Sequence, residues 1–138
     1  MRQNDFSVLQ LQSDLLENLS TLGYQQMTPI QAQSLPPILE GSDLIGQGKT
    51  GSGKTAAFGL GILQKLEPKR FCVQSLVLCP TRELADQVAQ EIRDLARLIQ
   101  NIKVLTLCGG APIGPQISSL AHGAHIIVGT PGRVEDHL

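Results

Sequence analysis

Gly48-Lys49-Thr50-Gly51-Ser52-Gly53-Lys54-Thr55 satisfies every fixed position of the pattern G-x-x-x-x-G-K-[ST]. The residue types share one physical purpose. Glycines let the backbone curl so that successive N–H groups turn toward a single point, and a helix starting near Lys54 adds its positive dipole end there. A polyphosphate is the ligand that such a concavity holds. The pattern places Thr50, Gly51, Ser52, Gly53 and Ala56 around the phosphates and sends the Lys54 amine to the β- and γ-phosphates. It gives the Thr55 hydroxyl to a Mg²⁺ ion carried with the nucleotide. The flanks agree with a strand–loop–helix unit. Asp43-Leu44-Ile45-Gly46 reads as a short buried strand, and residues 56–66 read as a helix with apolar Ala57, Leu60, Leu63 and Leu66.

Working outward, residues 13–22 read as a helix with Leu15, Leu16, Leu19 and Leu22 on one face and Gly23 as its stop. Thr28-Pro29 supplies an N-cap and a proline at the first helical position, and Pro36-Pro37 interrupts that helix near Leu35. Strands are expected at residues 43–47, 75–79, 103–108 and 125–129. The clearest helix lies between the second and third, over residues 81–98, with Leu84, Ala85, Val88, Ile92, Leu95 and Ala96 in helical register. A shorter helix is expected over residues 113–121. Leu-, Val- and Ile-rich strands alternating with helices indicate an α/β fold, a parallel sheet with helices on both faces. Right-handed crossovers then put the loops after the strands on one rim: the phosphate loop, Pro80-Thr81-Arg82, Gly109-Gly110 and Thr130-Pro131-Gly132. By length the 138 residues make one domain, with a helical region over residues 1–40 and an α/β core over residues 41–138.

Composition excludes several classes. No apolar run approaches the roughly 18 residues of a membrane span, and residues 1–5 have no apolar segment behind them of the kind a secretion signal needs. Cys72, Cys79 and Cys108 are odd in number and scattered through apolar runs, as reduced thiols of a cytoplasmic protein would be. His122, His125 and His137 have no metal-ligand spacing and read as core or solvated residues. A net charge of −1 and only four aromatic Phe and Tyr residues give neither a basic patch nor a base-stacking platform. Any contact with nucleic acid should therefore run through backbone phosphates at a few points.

Four segments in the right order and spacing resemble the DEAD-box RNA helicases. Gly23-Tyr24-Gln25-Gln26-Met27-Thr28-Pro29-Ile30-Gln31 resembles the Q motif, with Phe6 at the family's isolated upstream aromatic. The phosphate loop corresponds to motif I, Pro80-Thr81-Arg82-Glu83-Leu84-Ala85 to motif Ia, Gly109-Gly110 to the GG element, and Thr130-Pro131-Gly132-Arg133 to motif Ib. The departures are mild: Met27 for a frequent proline, Tyr24 for Phe, Gly48 for Ala and Lys49 for Gln. The stretches around Leu78-Cys79-Pro80 and Leu107-Cys108-Gly109-Gly110 look most like the bacterial DbpA branch, which acts on ribosomal RNA.

The resemblance implies a RecA-like domain that binds ATP and Mg²⁺ and contacts the sugar-phosphate backbone of RNA. An amide pairs a donor with an acceptor, the set that holds adenine N6 and N7. The resemblance gives that task to Gln31, with Phe6 stacking on the base and Tyr24 beside it. It gives backbone contacts to Thr81, Arg82, Gly110, Thr130, Gly132 and Arg133, none of which reads base sequence. Several have a plainer reading: Gln31 as an exposed helix residue, Phe6 as a hydrophobic anchor, Thr81 and Thr130 as helix caps, and Arg82 with Glu83 as an ion pair. Pro80-Thr81-Arg82-Glu83-Leu84-Ala85 together with the Q motif argues against P-loop families that act on DNA.

The chain ends at Leu138 and contains no Asp-Glu-Ala-Asp. The resemblance then implies that the Walker B carboxylates, the Ser-Ala-Thr motif and a second RecA-like domain are missing, so that the RecA-like fold is incomplete and this chain alone has little or no ATPase. Glu83, Glu135 and Asp136 do not follow a buried strand in the Walker B manner. In the family's topology the missing strands lie between the phosphate-loop strand and the others. Unpaired edges, self-association and lowered stability are therefore expected. A catalytically inactive module that binds RNA or a protein partner is the alternative reading.

Overall fold

The computed structural model describes residues 5–138. They form two compact units, one of residues up to Lys65 with Asp94–Ile99, the other of Leu66–Arg93 with Gln100–Leu138. Helices α1 (Ser13–Thr21), α2 (Pro29–Leu39) and α3 (Lys54–Lys65) lie in the first, after a 3-10 turn at Phe6–Leu9. Strands β1 (Ser75–Leu78), β2 (Val104–Leu107) and β3 (Ile126–Gly129) lie in the second, with α5 (Ile113–His122) and α6 (Pro131–Asp136). Helix α4 (Arg82–Leu95) completes the set.

In the first unit α1 buries Leu15 and Leu19 and places Asp14 in its first turn, where a carboxylate complements the helix dipole. Its buried Asn18 donates to the carbonyls of Asp94 and Leu95, 2.8 Å from the latter. Helix α2 opens with a reciprocal capping box between Thr28 and Gln31. It does not stop near Leu35 as its prolines suggest, but runs through Pro36 and Pro37 to Leu39. The two prolines fall close enough to the C-terminus that the helix loses few bonds, and it resumes with Glu40 N–H on the Pro36 carbonyl. Ser34 Oγ bonds back to the Ile30 carbonyl, and α2 packs against α3, where a Cβ at Gly61 would collide with Ile38. Packing against a neighbour outweighs the local penalty.

The second unit is built on a three-stranded parallel sheet in the order β1-β3-β2. Ser75 and Val104 both pair with Ile126, and Leu78 and Leu107 both pair with Gly129. Because β3 has a neighbour on each side, all four of its residues are buried, as a continuous apolar run should be. At the edge, β1 alternates half-buried with exposed residues, leaving Leu76 and Leu78 accessible. Leu107, Ala124 and Ile127 form a core with Leu105, Leu120 and Val134 packed around it. His125 is fully buried. Its Nδ1 accepts from the Lys103 N–H at 3.0 Å, which requires the proton on Nε2, and Nε2 donates to the Pro68 carbonyl at 2.8 Å. It is a core histidine.

Residues 43–47 are the main departure from expectation. They form no strand, and Ile45 is 97 % exposed. A parallel strand exists only through the neighbour that accepts its hydrogen bonds, and no described residue supplies one here. The apolar pair Leu44-Ile45 has the composition of a strand without its partner.

Candidate nucleotide loop and phosphate-contact rim

In the first unit, Gly51 and Gly53 take φ of +83° and +91°, conformations that only glycine adopts without strain. They bend the chain around Ser52, and α3 begins at Lys54 with Thr55 and the buried Ala56 in its first turn. Ser52 Oγ is buried and has no hydrogen-bond partner, while the Lys54 amine donates to the Gly48 carbonyl at 2.5 Å. A buried hydroxyl seeking a partner, a cation folded over the loop and a helix N-terminus are a donor set that fits a polyphosphate. Thr50 is exposed beside them.

Gln31 lies against this loop, 1 % exposed. Its Oε1 accepts from the Thr28 N–H at 2.9 Å and its Nε2 donates to the Gly53 carbonyl at 3.1 Å. Both ends of the amide are thus committed to backbone, tying the start of α2 to the phosphate loop. Phe6 is buried and meets Tyr24 edge to face, with ring centroids 6.2 Å apart. That is the hydrophobic-anchor arrangement.

In the second unit, three of the four expected loops follow the carboxyl ends of the sheet strands. The fourth, the phosphate loop, follows no paired strand. After β1, Thr81 caps α4, its Oγ1 accepting from the Leu84 N–H at 3.2 Å. Arg82 pairs with Asp86 at 3.9 Å rather than with Glu83, and both side chains are more than half exposed, so the pair is weak and the guanidinium accessible. Arg82 Nη1 would lie 3.4 Å from a Cβ added to Gly110, so motif Ia and the Gly109-Gly110 turn meet. After β3, Thr130 Oγ1 accepts from the Gly109 N–H at 3.2 Å. Gly132 is exposed with open space around it.

Arg133 behaves differently from the other rim residues. Only 15 % of its side chain is exposed, and Nη1 donates to the Ala111 carbonyl at 2.7 Å and to Gln116 Oε1 at 3.1 Å. Asp136 lies 3.3 Å from Nε, which has no directed hydrogen bond, so the carboxylate balances charge without aligning on that N–H. Gln116 is not singled out by the sequence, nor is the 2.9 Å hydrogen bond that ties His137 Nε2 to its Oε1. The available signal was Gln116 itself, a polar residue three after Ile113 and four before Leu120 in an apolar register.

Cys79 and Cys108 immediately follow β1 and β2, both buried. Burial pushes the Cys79 thiol up, and the Cys108 thiol adds to the shift. Burial likewise raises Cys108, with Asp86 and Glu83 reinforcing and Arg82 and Arg133 opposing. Neither is a poised thiolate.

Residues 28–138 match the DEAD/DEAH box helicase family. The chain belongs to that family. It is 64 % identical over 123 residues to the ATP-dependent RNA helicase DbpA of Escherichia coli K12, covering 89 % of this chain and 27 % of that protein. To the ATP-dependent RNA helicase DeaD of the same organism it is 46 % identical over 136 residues, 99 % of this chain and 22 % of DeaD. Among solved structures, a DEAD box protein of the hyperthermophile Methanococcus jannaschii superposes with a TM-score of 0.91 at 38 % identity, over 97 % of this chain and 36 % of that one. A hypothetical ATP-dependent RNA helicase of Sulfolobus tokodaii gives 0.81 at 37 % identity, over 91 % and 36 %. This DEAD/DEAH box chain thus spans about a quarter of the curated relatives it matches, and its fold is the α/β, RecA-like fold of these helicases. Among the described residues no helix is long and apolar enough to cross a membrane.

Proposed function

We propose that this chain is the ATP- and RNA-binding part of an RNA helicase that separates short duplexes, with ribosomal RNA as substrate class and the cytoplasm as its place of work. The observation that carries the reading is the phosphate loop. Gly51 and Gly53 hold it open around a buried, unpartnered Ser52 hydroxyl, and Lys54 leads α3. Thr50 to Lys54 and Ala56 hold the phosphates, and Thr55 holds the Mg²⁺ that the nucleotide brings. Bound ATP supplies the free energy of phosphoryl transfer. Gln31 reads adenine by exchanging its present backbone partners for the base, with Phe6 and Tyr24 flanking it.

On the second unit, Thr81, Arg82, Gly110, Thr130 and Gly132 present hydroxyls, backbone N–H groups and one accessible cation to the RNA backbone. The ribosomal RNA assignment rests on the resemblance of the Leu78-Cys79-Pro80 and Leu107-Cys108-Gly109-Gly110 stretches to the DbpA branch, and the 64 % identity to the ATP-dependent RNA helicase DbpA supports that placement. Neither Glu83, Glu135 nor Asp136 follows the loop as a Walker B carboxylate would, so the chain alone hydrolyses ATP slowly or not at all.

The test is displacement of a fluorescent ADP in the presence of Mg²⁺. ATP is expected to displace the probe at much lower concentration than GTP, whose O6 is an acceptor where adenine has a donor. Absence of nucleotide binding at millimolar concentration, with salt-dependent RNA binding retained, would replace this reading with that of an RNA-binding module. The exposure of Leu44 and Ile45, which leaves the phosphate loop without a strand before it, is the observation that favours that second reading.

A further inference from the structure

One backbone carbonyl and two side chains of the rim converge on one buried side chain. Gln116 on α5 is 8 % exposed. Its Nε2 donates to the carbonyl of Cys108, the residue just before Gly109-Gly110, at 3.2 Å. Its Oε1 accepts from Arg133 Nη1 at 3.1 Å and from His137 Nε2 at 2.9 Å. The same Arg133 nitrogen donates to Ala111, the residue just after the glycine pair. Gly109 itself is held by Thr130. The two-glycine turn is therefore fastened before, within and after its glycines, and the fastenings lead through Gln116, Arg133 and Thr130 to the start of α6. Gly110, at φ +86°, sits where such control matters. Glycine has the widest backbone freedom, so a glycine pair left to itself samples many conformations.

We infer that Gln116 and Arg133 are positioning residues: they set the Gly109–Gly110 backbone at the geometry that meets a nucleic-acid phosphate, and the Arg133 charge makes no phosphate contact of its own. This rests on the RNA-binding reading above and departs from the expectation that Arg133 touches RNA. The guanidinium is spent on Ala111 and Gln116 and is balanced by Asp136. Arg82, more than half exposed, is left as the cation that faces the phosphate.

The test uses the whole chain and a fluorescently labelled single-stranded RNA oligonucleotide, with anisotropy measured across a salt series. Gln116→Leu and Arg133→Gln are each expected to weaken binding about tenfold, the worth of a buried hydrogen-bonded contact to a charged group. The salt slope should stay at its wild-type value, because uncharged backbone contacts release no counterions. Arg82→Gln should instead lower the slope by about 0.7, one phosphate contact on a single strand. The Gln116→Leu/Arg133→Gln double variant should lose no more than either single variant, since one device is broken once. Losses that add would mark general destabilisation and overturn the inference, as would a slope that falls with Arg133→Gln.

Amide exchange at residues 109–111 without RNA separates this inference from the reading beneath it. Faster exchange in Gln116→Leu supports the fastening whatever the ligand. Unchanged exchange overturns it. A wild-type chain that binds no RNA, yet shows the exchange effect, sinks the RNA reading and the phosphate role while leaving the fastened turn.

Discussion

Replacing Gly53 with alanine tests whether the base-side amide and the phosphate loop act as one unit. Two costs are expected. The residue sits at φ +91°, and a side chain there costs about 1–2 kcal/mol. The new Cβ would also collide with the Gln31 amide nitrogen and stand 3.0 Å from Gln31 Cδ and from Thr28 Oγ1. Gln31 must then withdraw, leaving the Thr28 N–H and the Gly53 carbonyl without their partners, at a cost of about 1–3 kcal/mol. Gly53→Ala should therefore destabilise by roughly 2–5 kcal/mol in the native background. In a Gln31→Ala background the collision with the amide is gone and only the 3.0 Å approach to the Thr28 hydroxyl remains, so the cost should fall toward the backbone value of about 1–2 kcal/mol. Urea unfolding of the four chains, followed by circular dichroism, gives the coupling directly. Equal costs in both backgrounds would show that the amide is not held on the loop, and the proposed link between base reading and phosphate binding would go with it.

Three other outcomes are expected. His125→Phe should leave the Lys103 N–H and the Pro68 carbonyl unpaired and crowd a fully buried site; a loss of about 2–4 kcal/mol by urea unfolding is expected, and a neutral result would refute the assigned bonds. Alternation along edge strand β1 points the Val77 N–H toward β3 and those of Leu76 and Leu78 away from it, so Val77 should be the slow exchanger of the three by amide hydrogen exchange. Because folding raises both the Cys79 and Cys108 thiols above the ordinary value of 9.0, their contribution is intact below pH 9 and is lost as pH rises through the folded values. Stability should fall more steeply above pH 9 in the parent than in a Cys79→Ala/Cys108→Ala variant, as measured by urea midpoints across pH.

The parts legible in the sequence are those whose conformation is decided within a few residues. The phosphate loop is legible because Gly51 and Gly53 alone tolerate its backbone, and Thr28-Pro29 because a cap and a fixed φ need no partner. β2 and β3 are legible because Val104-Leu105-Thr106-Leu107 and Ile126-Ile127-Val128 demand burial on both faces. Residues 43–47 were misread because a strand is a property of two segments, and Leu44-Ile45 states only half of the condition. The prolines of α2 misled for a related reason: the packing that overrides them comes from α3. Gln116, Arg133 and His137 form their network across the turn and two helices, and nothing in their spacing announces it. Cys79, Cys108 and His125 are legible as buried residues, since an apolar setting is itself a local signal.

The order β1-β3-β2 also dictates a timetable. Neither β1 nor β2 touches the other; each finds its hydrogen-bonding partner only in β3, the last strand of the three to be made. During synthesis Leu76-Val77-Leu78 and Val104-Leu105 must therefore wait, apolar and unpaired, until Ile126-Ile127-Val128 has left the ribosome, and then both ladders close around it together. Such late, non-local closure is slow, and the waiting strands are exposed to wrong partners in the meantime. Helices α2 and α3, which pack on each other, carry no such delay. The nascent chain should thus acquire this helical pair early and its sheet in a single late step, and the interval between them is when it most needs protection from its neighbours.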